Sequence, residues 1–400
     1  MVIGINTHEN EGATVVGVCI KYFHENYGGM LQAYATISML ESRGVEYELV
    51  RYQKKQSAFG KIKSLPRLLN GVLLNDKYEE YLKKRGAKKH PDFKKNNAVR
   101  LKAFRKFNET HFTKLSPVYV GYDQLCEGAK RYTAVMTGSD QLWSPAGLPT
   151  NYYNLMFVPN DIKKISYASS FGVKNIPWYQ KKRTAYFLKR IEYISMREKR
   201  GSEIVKELTG RTVPTILDPV FMFDQEGWEK LIPVSKEFDE PYIFAYFLGS
   251  NPEHREAVKR AAKELKCKIV ALRHLDQYVA EDEYFGEIVP YDVAPDRFLN
   301  LLRGASYVCT DSFHGSCFSI IHKKPFVIFN RYMEGARHSK NSRIDTLCSN
   351  FGLEDRRYRA IDELANQLVT VIDYNCVEEQ YRYLKRDTDA YLEAALKDVR

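Results

Sequence analysis

Residues 15–52, VVGVCIKYFHENYGGMLQAYATISMLESRGVEYELVRY, decide the fold. The run 15–20 is short and apolar, as a strand buried on both faces must be. Asn26-Tyr27-Gly28-Gly29 then supplies a turn. Over 30–43, Leu31, Tyr34, Ala35 and Met39, with Ile37 and Leu40, give a helix its apolar face, and Gly44 is placed to end it. Residues 47–52 read as the next strand. Strand, loop, helix, strand is the opening of a doubly wound α/β domain.

The same pattern continues outward. Short apolar runs at 133–137, 164–169, 193–196 and 213–217 read as strands, and each ends in polar residues: Gly138-Ser139-Asp140-Gln141, Ser170-Phe171-Gly172, Arg197-Glu198 and Asp218-Pro219. In open parallel sheets ligands bind at that edge. Residues 223–241, with Gly227, Pro233 and Pro241 among charges, read as a boundary. A second α/β unit follows, with strands at 242–248, 268–272, 307–310 and 326–329. The expected organisation is a first domain over 1–225, a second over 226–360, and a helical tail over 361–400. That tail could pack back on the first domain or brace a homodimer. Residues 54–108 break the first domain as a basic helical insertion, a lid or arm. Within it, 62–75 form an amphipathic helix, 86–97 a loop and 99–111 a helix.

Composition narrows the class. With 400 residues, 44% hydrophobic and 28% charged, the chain is long enough for two cores and is not disordered. No run approaches 18 apolar residues, and the polar start, with Glu9 and Glu11, does not resemble a secretory signal, so the expected compartment is the cytosol. Seven dispersed cysteines without a CxxC pair read as buried thiols, and no metal site is expected. The +11 net charge is local. Residues 51–106 hold 18 Lys and Arg against four acids, a net +14, so the remainder is slightly acidic. Without a recognition motif this excess does not argue for nucleic acid. It reads either as a solvated arm or as a peripheral contact with an anionic membrane at its cytoplasmic face.

The sharpest chemical segment is Asp311-Ser312-Phe313-His314-Gly315-Ser316-Cys317. It follows a strand and opens a helix, where free amides and the helix dipole favour an anionic oxygen. Ser312 is placed to cap the helix, and Gly315 allows substrate or another segment close approach. His314 can donate or accept a proton near neutral pH. Asp311 would orient it, activate an acceptor hydroxyl, or serve as a cap. Arg197 at a strand end suits two-pronged binding of phosphate or carboxylate. The loop Arg337-His338-Ser339-Lys340-Asn341-Ser342-Arg343 is a clamp for a multiply charged small molecule or a solvated loop. Asn26, Gln141 and Asp140 are candidates for recognising sugar hydroxyls, with Asp140 also a base. Tyr27 and Trp143 are candidates for stacking on a sugar, or are core. Asp218-Pro219 reads first as a rigid turn. GxGxxG, GxSxG and P-loop patterns are absent, so no nicotinamide or ATP site is expected.

Taken in order, Asn26–Tyr34, Gly138-Ser139-Asp140-Gln141-Leu142-Trp143, Ile165–Gly172, Ser195-Met196-Arg197-Glu198, Leu217-Asp218-Pro219, Thr310–Gly315, Ser342-Arg343 and Phe351-Gly352-Leu353 resemble the polysaccharide pyruvyltransferase family. The likeness spans about 15–355 apart from the insertion. It implies two Rossmann-like domains facing a GT-B-like cleft. The implied donor, a co-substrate rather than a cofactor, is phosphoenolpyruvate. The implied acceptor is a sugar of a capsule, exopolysaccharide or other cell-surface glycan, including a lipid-linked oligosaccharide. The product would be a cyclic pyruvate ketal and phosphate. His314 matches the family's general acid and Arg197 a donor-binding arginine; Arg337, His338 and Arg343 fall near other donor contacts. A GT-B-like glycosyltransferase using a nucleotide sugar and a non-catalytic glycan binder are the competing classes.

Overall fold

The computed structural model describes residues 14–55, 90–145, 150–274, 278–331 and 342–399. The first domain runs β1 (Val16–Cys19), α1 (Tyr27–Ser42), β2 (Tyr47–Gln53), α2 (Pro91–His111), β3 (Leu115–Val120), α3 (Tyr122–Ala129), β4 (Ala134–Thr137), β5 (Lys163–Ser169), α4 (Lys181–Arg190), β6 (Tyr193–Met196) and α5 (Lys199–Thr209). Next come α6 (Gln225–Leu231), β7 (Tyr242–Tyr246), α7 (Pro252–Glu264), β8 (Lys268–Leu272), α8 (Pro295–Gly304), β9 (Tyr307–Thr310), α9 (Phe313–Ile321) and β10 (Phe326–Ile328). The chain closes with α10 (Ser342–Phe351), α11 (Leu364–Val369) and α12 (Tyr374–Leu396).

Two parallel sheets result. The first has the order β3-β2-β1-β4-β5-β6, and the second β10-β9-β7-β8. Each therefore has a point where the chain, having built outward on one side, crosses to the other: between β1 and β4, and between β7 and β9. Loops diverge there and leave a crevice at the carboxyl ends of the strands. Central strands such as β4 and β7 are buried at every position, which explains their continuous apolar runs.

Three local expectations change. Residues 115–120 form an edge strand that periodicity did not reveal, because β3 is mostly exposed and contains Pro117. Residues 213–217 make only one bridge, Met196 to Thr215, because Pro214 has no N–H to continue a ladder. The expected loop over 86–97 is helical from Pro91, which takes the first-turn position where its missing N–H costs nothing. The expected amphipathic helix over 62–75 lies outside the described residues.

Several contacts hold the domains together. Arg100 on α2 is buried, and its guanidinium donates to the carbonyls of Arg273 (2.6 Å), Pro290 (3.0 Å) and Tyr291 (3.4 Å) in the second domain. One apolar cluster runs from Val16 and Leu31 through the interface to Phe244, Phe298 and Phe318. The last helix, α12, lies against the first domain. Thr388 Oγ1 accepts from the Leu217 amide (3.1 Å), Tyr391 donates to the Ser166 carbonyl (2.8 Å), and Arg43 pairs with Asp389 at 2.5 Å.

Candidate active site

The loops after β4, β5 and β6 meet the start of α9 at one place. β5 carries a bulge: its register shifts between Ser166 and Ser169, with Ala168 at φ +48°. The Ser169 carbonyl accepts from the Arg197 amide (3.1 Å), fixing the backbone just past β6. The Arg197 side chain turns inward. Its Nη1 donates to Asp218 Oδ2 (2.8 Å) and Ser139 Oγ (3.3 Å), Nη2 lies 3.7 Å from Asp140 Oδ1, and the guanidinium rests on the Phe313 ring at 4.7 Å. From the second domain, His314 places Nε2 3.6 Å from the same Asp218 oxygen. Arg197 and His314, from different domains, thus share one buried carboxylate.

Asp218, which in the sequence reads first as part of a rigid turn, is the hub. It also accepts from Ser139 Oγ (2.8 Å) and the Val220 amide (3.2 Å). Burial alone would raise its carboxyl, but the nearby charges of His314 and Arg197 and the hydrogen bond from Arg197 hold it well below the ordinary carboxylate range. Asp140 behaves alike. Its burial is outweighed by Arg197, Lys21, His314 and Arg343, which lower it to about 2. Its backbone is left-handed at φ +74°, a conformation that costs a non-glycine residue roughly 1–2 kcal/mol. The Ser170 amide, donating to the Asp140 carbonyl at 3.1 Å, holds it there. Glu198 goes the other way: burial raises it despite Arg197 and a hydrogen bond from Ser170 Oγ (2.9 Å).

Arg343, at the start of α10, is the second cation. It stands 5.6 Å from the Phe313 ring, and burial with the like charge of Arg197 lowers it to about 10. With its amide oriented to satisfy both groups, Gln141 accepts from Arg343 Nε (3.3 Å) and Nη2 (2.9 Å). Arg197 Nε and Nη2, His314 Nε2 and Glu198 Oε2 are buried without a hydrogen-bond partner among the described residues. Unpaired buried polar atoms are rare and call for an explanation. Two guanidiniums and an imidazole beside one another, with donors left over, suit an anion carrying several oxygens.

Gly28 makes the arrangement sterically possible. A Cβ there would fall 2.3 Å from His314 Nδ1 and 2.5 Å from its Cγ. The sequence showed Gly28 as a turn; its packing against a residue far along the chain is visible only in three dimensions. Ser312 caps α9, its Oγ accepting from the Gly315 amide at 3.3 Å. Gly315 faces Thr310, whose Oγ1 would be 2.8 Å from an added Cβ, so the close approach is by chain rather than ligand.

Other candidates are corrected. The Asp311 carboxylate is engaged away from His314: it accepts from the Leu248 (2.7 Å) and Gly249 (2.8 Å) amides and pairs with Arg331 at 3.3 Å, tying the ends of β7 and β9 together. Trp143 is no sugar platform. It is fully buried against Phe171 and Phe187, and its indole N–H donates to the Tyr153 carbonyl (3.0 Å). Tyr27 is likewise core, stacked on Phe298 at 4.6 Å with its hydroxyl donating to Val293 O (3.2 Å) across the domain interface. Asn26 uses its side chain to cap α1, accepting from the Gly29 amide at 2.9 Å. Arg337 and His338 lie outside the described residues.

Known proteins resemble this chain in family and in fold. The family model for polysaccharide pyruvyl transferase matches residues 26–331. No curated protein matches the sequence. Among solved structures, a Listeria monocytogenes protein assigned as a UDP-N-acetylglucosamine 2-epimerase is similar at TM-score 0.52 and 10% identity, covering 97% of this chain and 98% of its own. Another UDP-N-acetylglucosamine 2-epimerase gives TM-score 0.52 and 11% identity over 96% and 95% of the two chains. MnaA of S. aureus, solved with UDP, gives 0.51 and 11% over 96% and 97%. At such identities the likeness concerns the fold, two Rossmann-like domains in the GT-B manner. The chain belongs to the polysaccharide pyruvyl transferase family, enzymes that transfer pyruvate to polysaccharide.

Proposed function

We propose that this enzyme takes phosphoenolpyruvate as donor and builds a cyclic ketal on two hydroxyls of a cell-surface glycan sugar, releasing phosphate. The observation that carries the reading is the meeting of His314, Arg197 and Arg343 around Phe313, with buried donors left over. Phosphoenolpyruvate presents a phosphate and a carboxylate on one small carbon frame, and two guanidiniums match two such groups.

In the proposed reaction the His314 imidazolium protonates the donor methylene carbon, leaving positive charge on the adjacent carbon. One acceptor hydroxyl adds there and loses its proton. Phosphate then departs with the electrons of its C–O bond, and the second hydroxyl adds, losing its proton in turn. Asp140, held ionised by its cationic neighbours, is the base we assign to a hydroxyl proton. Asp218 keeps Arg197 and His314 in register. We place the reaction in the cytoplasm, on an acceptor that includes lipid-linked oligosaccharide at the inner membrane face. No helix among the described residues is long and apolar enough to cross a membrane.

The test supplies phosphoenolpyruvate with candidate acceptors and follows phosphate release together with acceptor mass. The reading expects one phosphate released per acceptor that gains one pyruvate less water. Phosphate release without that gain, or transfer of a sugar from a nucleotide donor with release of nucleotide, would refute it.

A further inference from the structure

The chain has three tryptophans, and two of them, Trp143 and Trp228, are completely buried. The third, Trp178, is 83% exposed. Beside it, Tyr179 is 48% exposed and Tyr186 59%. These rings lie on the turn Trp178–Gln180 and the helix α4 that continues it. Thr184, Phe187 and Leu188 take the buried face of α4. Lys182, Tyr186 and Lys189 fall at i, i+4 and i+7 on the opposite face, and Lys181 and Arg183 are exposed beside them. Between Asp161 and Glu192 the chain contains no acid, and Lys174, Lys181, Lys182, Arg183 and Lys189 are exposed. The acids Glu203 and Glu207 on neighbouring α5 are taken up by Arg200.

Trp and Tyr rings with lysines at their margins, and no carboxylate among them, are the composition of a surface that sits at the headgroup level of an anionic bilayer. The position fits as well. Trp178 follows Gly172, which packs on Gln141, and Gln180 Nε2 donates to the Pro145 carbonyl at 3.1 Å. The aromatic turn is thereby fastened to the loop that carries Asp140 and Gln141, at the strand ends where the site lies.

We infer that the Trp178–Tyr179 turn and the outer face of α4 dock the enzyme on an anionic membrane surface, with the rim of the cleft toward the lipid. The docking stands on this surface alone; its use, delivering a lipid-linked acceptor, rests on the proposed reaction. The two are separable, because docking is read without turnover and turnover can be read on a water-soluble acceptor.

The experiment uses the full chain with phosphatidylcholine vesicles, with and without phosphatidylglycerol. Because the other two tryptophans are fully buried, a change in fluorescence reports on Trp178. We expect co-sedimentation only with the anionic vesicles, a blue shift of the emission, protection from acrylamide quenching, and reversal by high salt. Trp178→Ala/Tyr186→Ala and Lys182→Glu/Lys189→Glu should each reduce partitioning by roughly ten-fold or more. Both pairs are exposed, and both variants should turn over a water-soluble acceptor as the parent does. The inference is overturned if neither pair weakens vesicle binding, if Trp178 stays equally quenchable on bound vesicles, if anionic vesicles are not bound at all, or if Trp178 is instead buried in a dimer that does not bind lipid.

Discussion

Asp218→Asn isolates the electrostatic core of the account. Asparagine keeps the size of the side chain and, with its oxygen toward the Val220 amide, turns its NH2 toward Ser139 Oγ, but removes the charge that faces His314 at 3.6 Å and Arg197 at 2.8 Å. The carboxylate is buried, so solvent screens it little. At an effective dielectric constant of about 20, a unit pair at that His314 distance is worth at most about 4.6 kcal/mol. At 1.36 kcal/mol per ten-fold in rate, that places an upper bound of about three orders of magnitude on the loss of turnover. We therefore expect kcat at a fixed pH to fall by roughly ten- to a thousand-fold. Donor KM should rise as well, because Arg197 loses its closest partner. Breaking one side of a buried pair typically costs about 3–5 kcal/mol, less here because Asp140 remains 3.7 Å from Arg197 Nη2. Assays should thus run well below the variant's melting temperature, with circular dichroism confirming the fold. A folded variant with parental kcat and parental donor KM would refute the hub role of Asp218.

Three further outcomes follow from the packing. Gly28→Ala puts a methyl group 2.3 Å from His314 Nδ1 and should abolish most turnover while costing roughly 1–3 kcal/mol of stability; a parental rate would show that the imidazole position is unimportant. Trp143→Phe removes the hydrogen bond to Tyr153 and some buried volume, so urea denaturation should show a loss of about 1–2 kcal/mol, with acceptor KM within about two-fold of the parent; a large KM change would return Trp143 to the site. His254, lowered by burial to about 4 from its ordinary 6.5, takes up a proton in the unfolded chain before the folded one. Stability is then full above pH 6.5 and falls as pH drops toward 4, by roughly 2 kcal/mol between pH 7 and pH 5. His254→Gln should flatten that part of the urea-midpoint profile, and an unchanged slope would remove His254 as its cause.

How far the sequence could be read depended on the physics of each part. Strands such as β1, β4 and β7 announce themselves because a parallel strand covered on both faces must be apolar throughout. β3, an exposed edge strand containing Pro117, obeys no such rule and is silent. Ser312 and Gly315 were legible because capping is local to the chain. The partnership of Asp218 with His314 was not, because nothing near either residue tells where the other domain's loop will fall. Asp311 misled for the same reason: nearness in sequence to His314 suggested a pair, whereas its oxygens are taken by amides after β7. Tyr27 and Trp143 were ambiguous as residue types, since an aromatic ring serves a sugar or a core equally well, and only burial separates the two.

The central chemical claim is that a proton enters the donor's methylene carbon at the His314 site. Turnover in deuterium oxide tests it most directly, by mass and NMR of the acceptor product. The product should carry a ketal methyl group with one deuterium, formed in step with phosphate release and largely lost in a folded His314→Ala variant. A methyl group without deuterium, or undiminished labelled product from that variant, would contradict it.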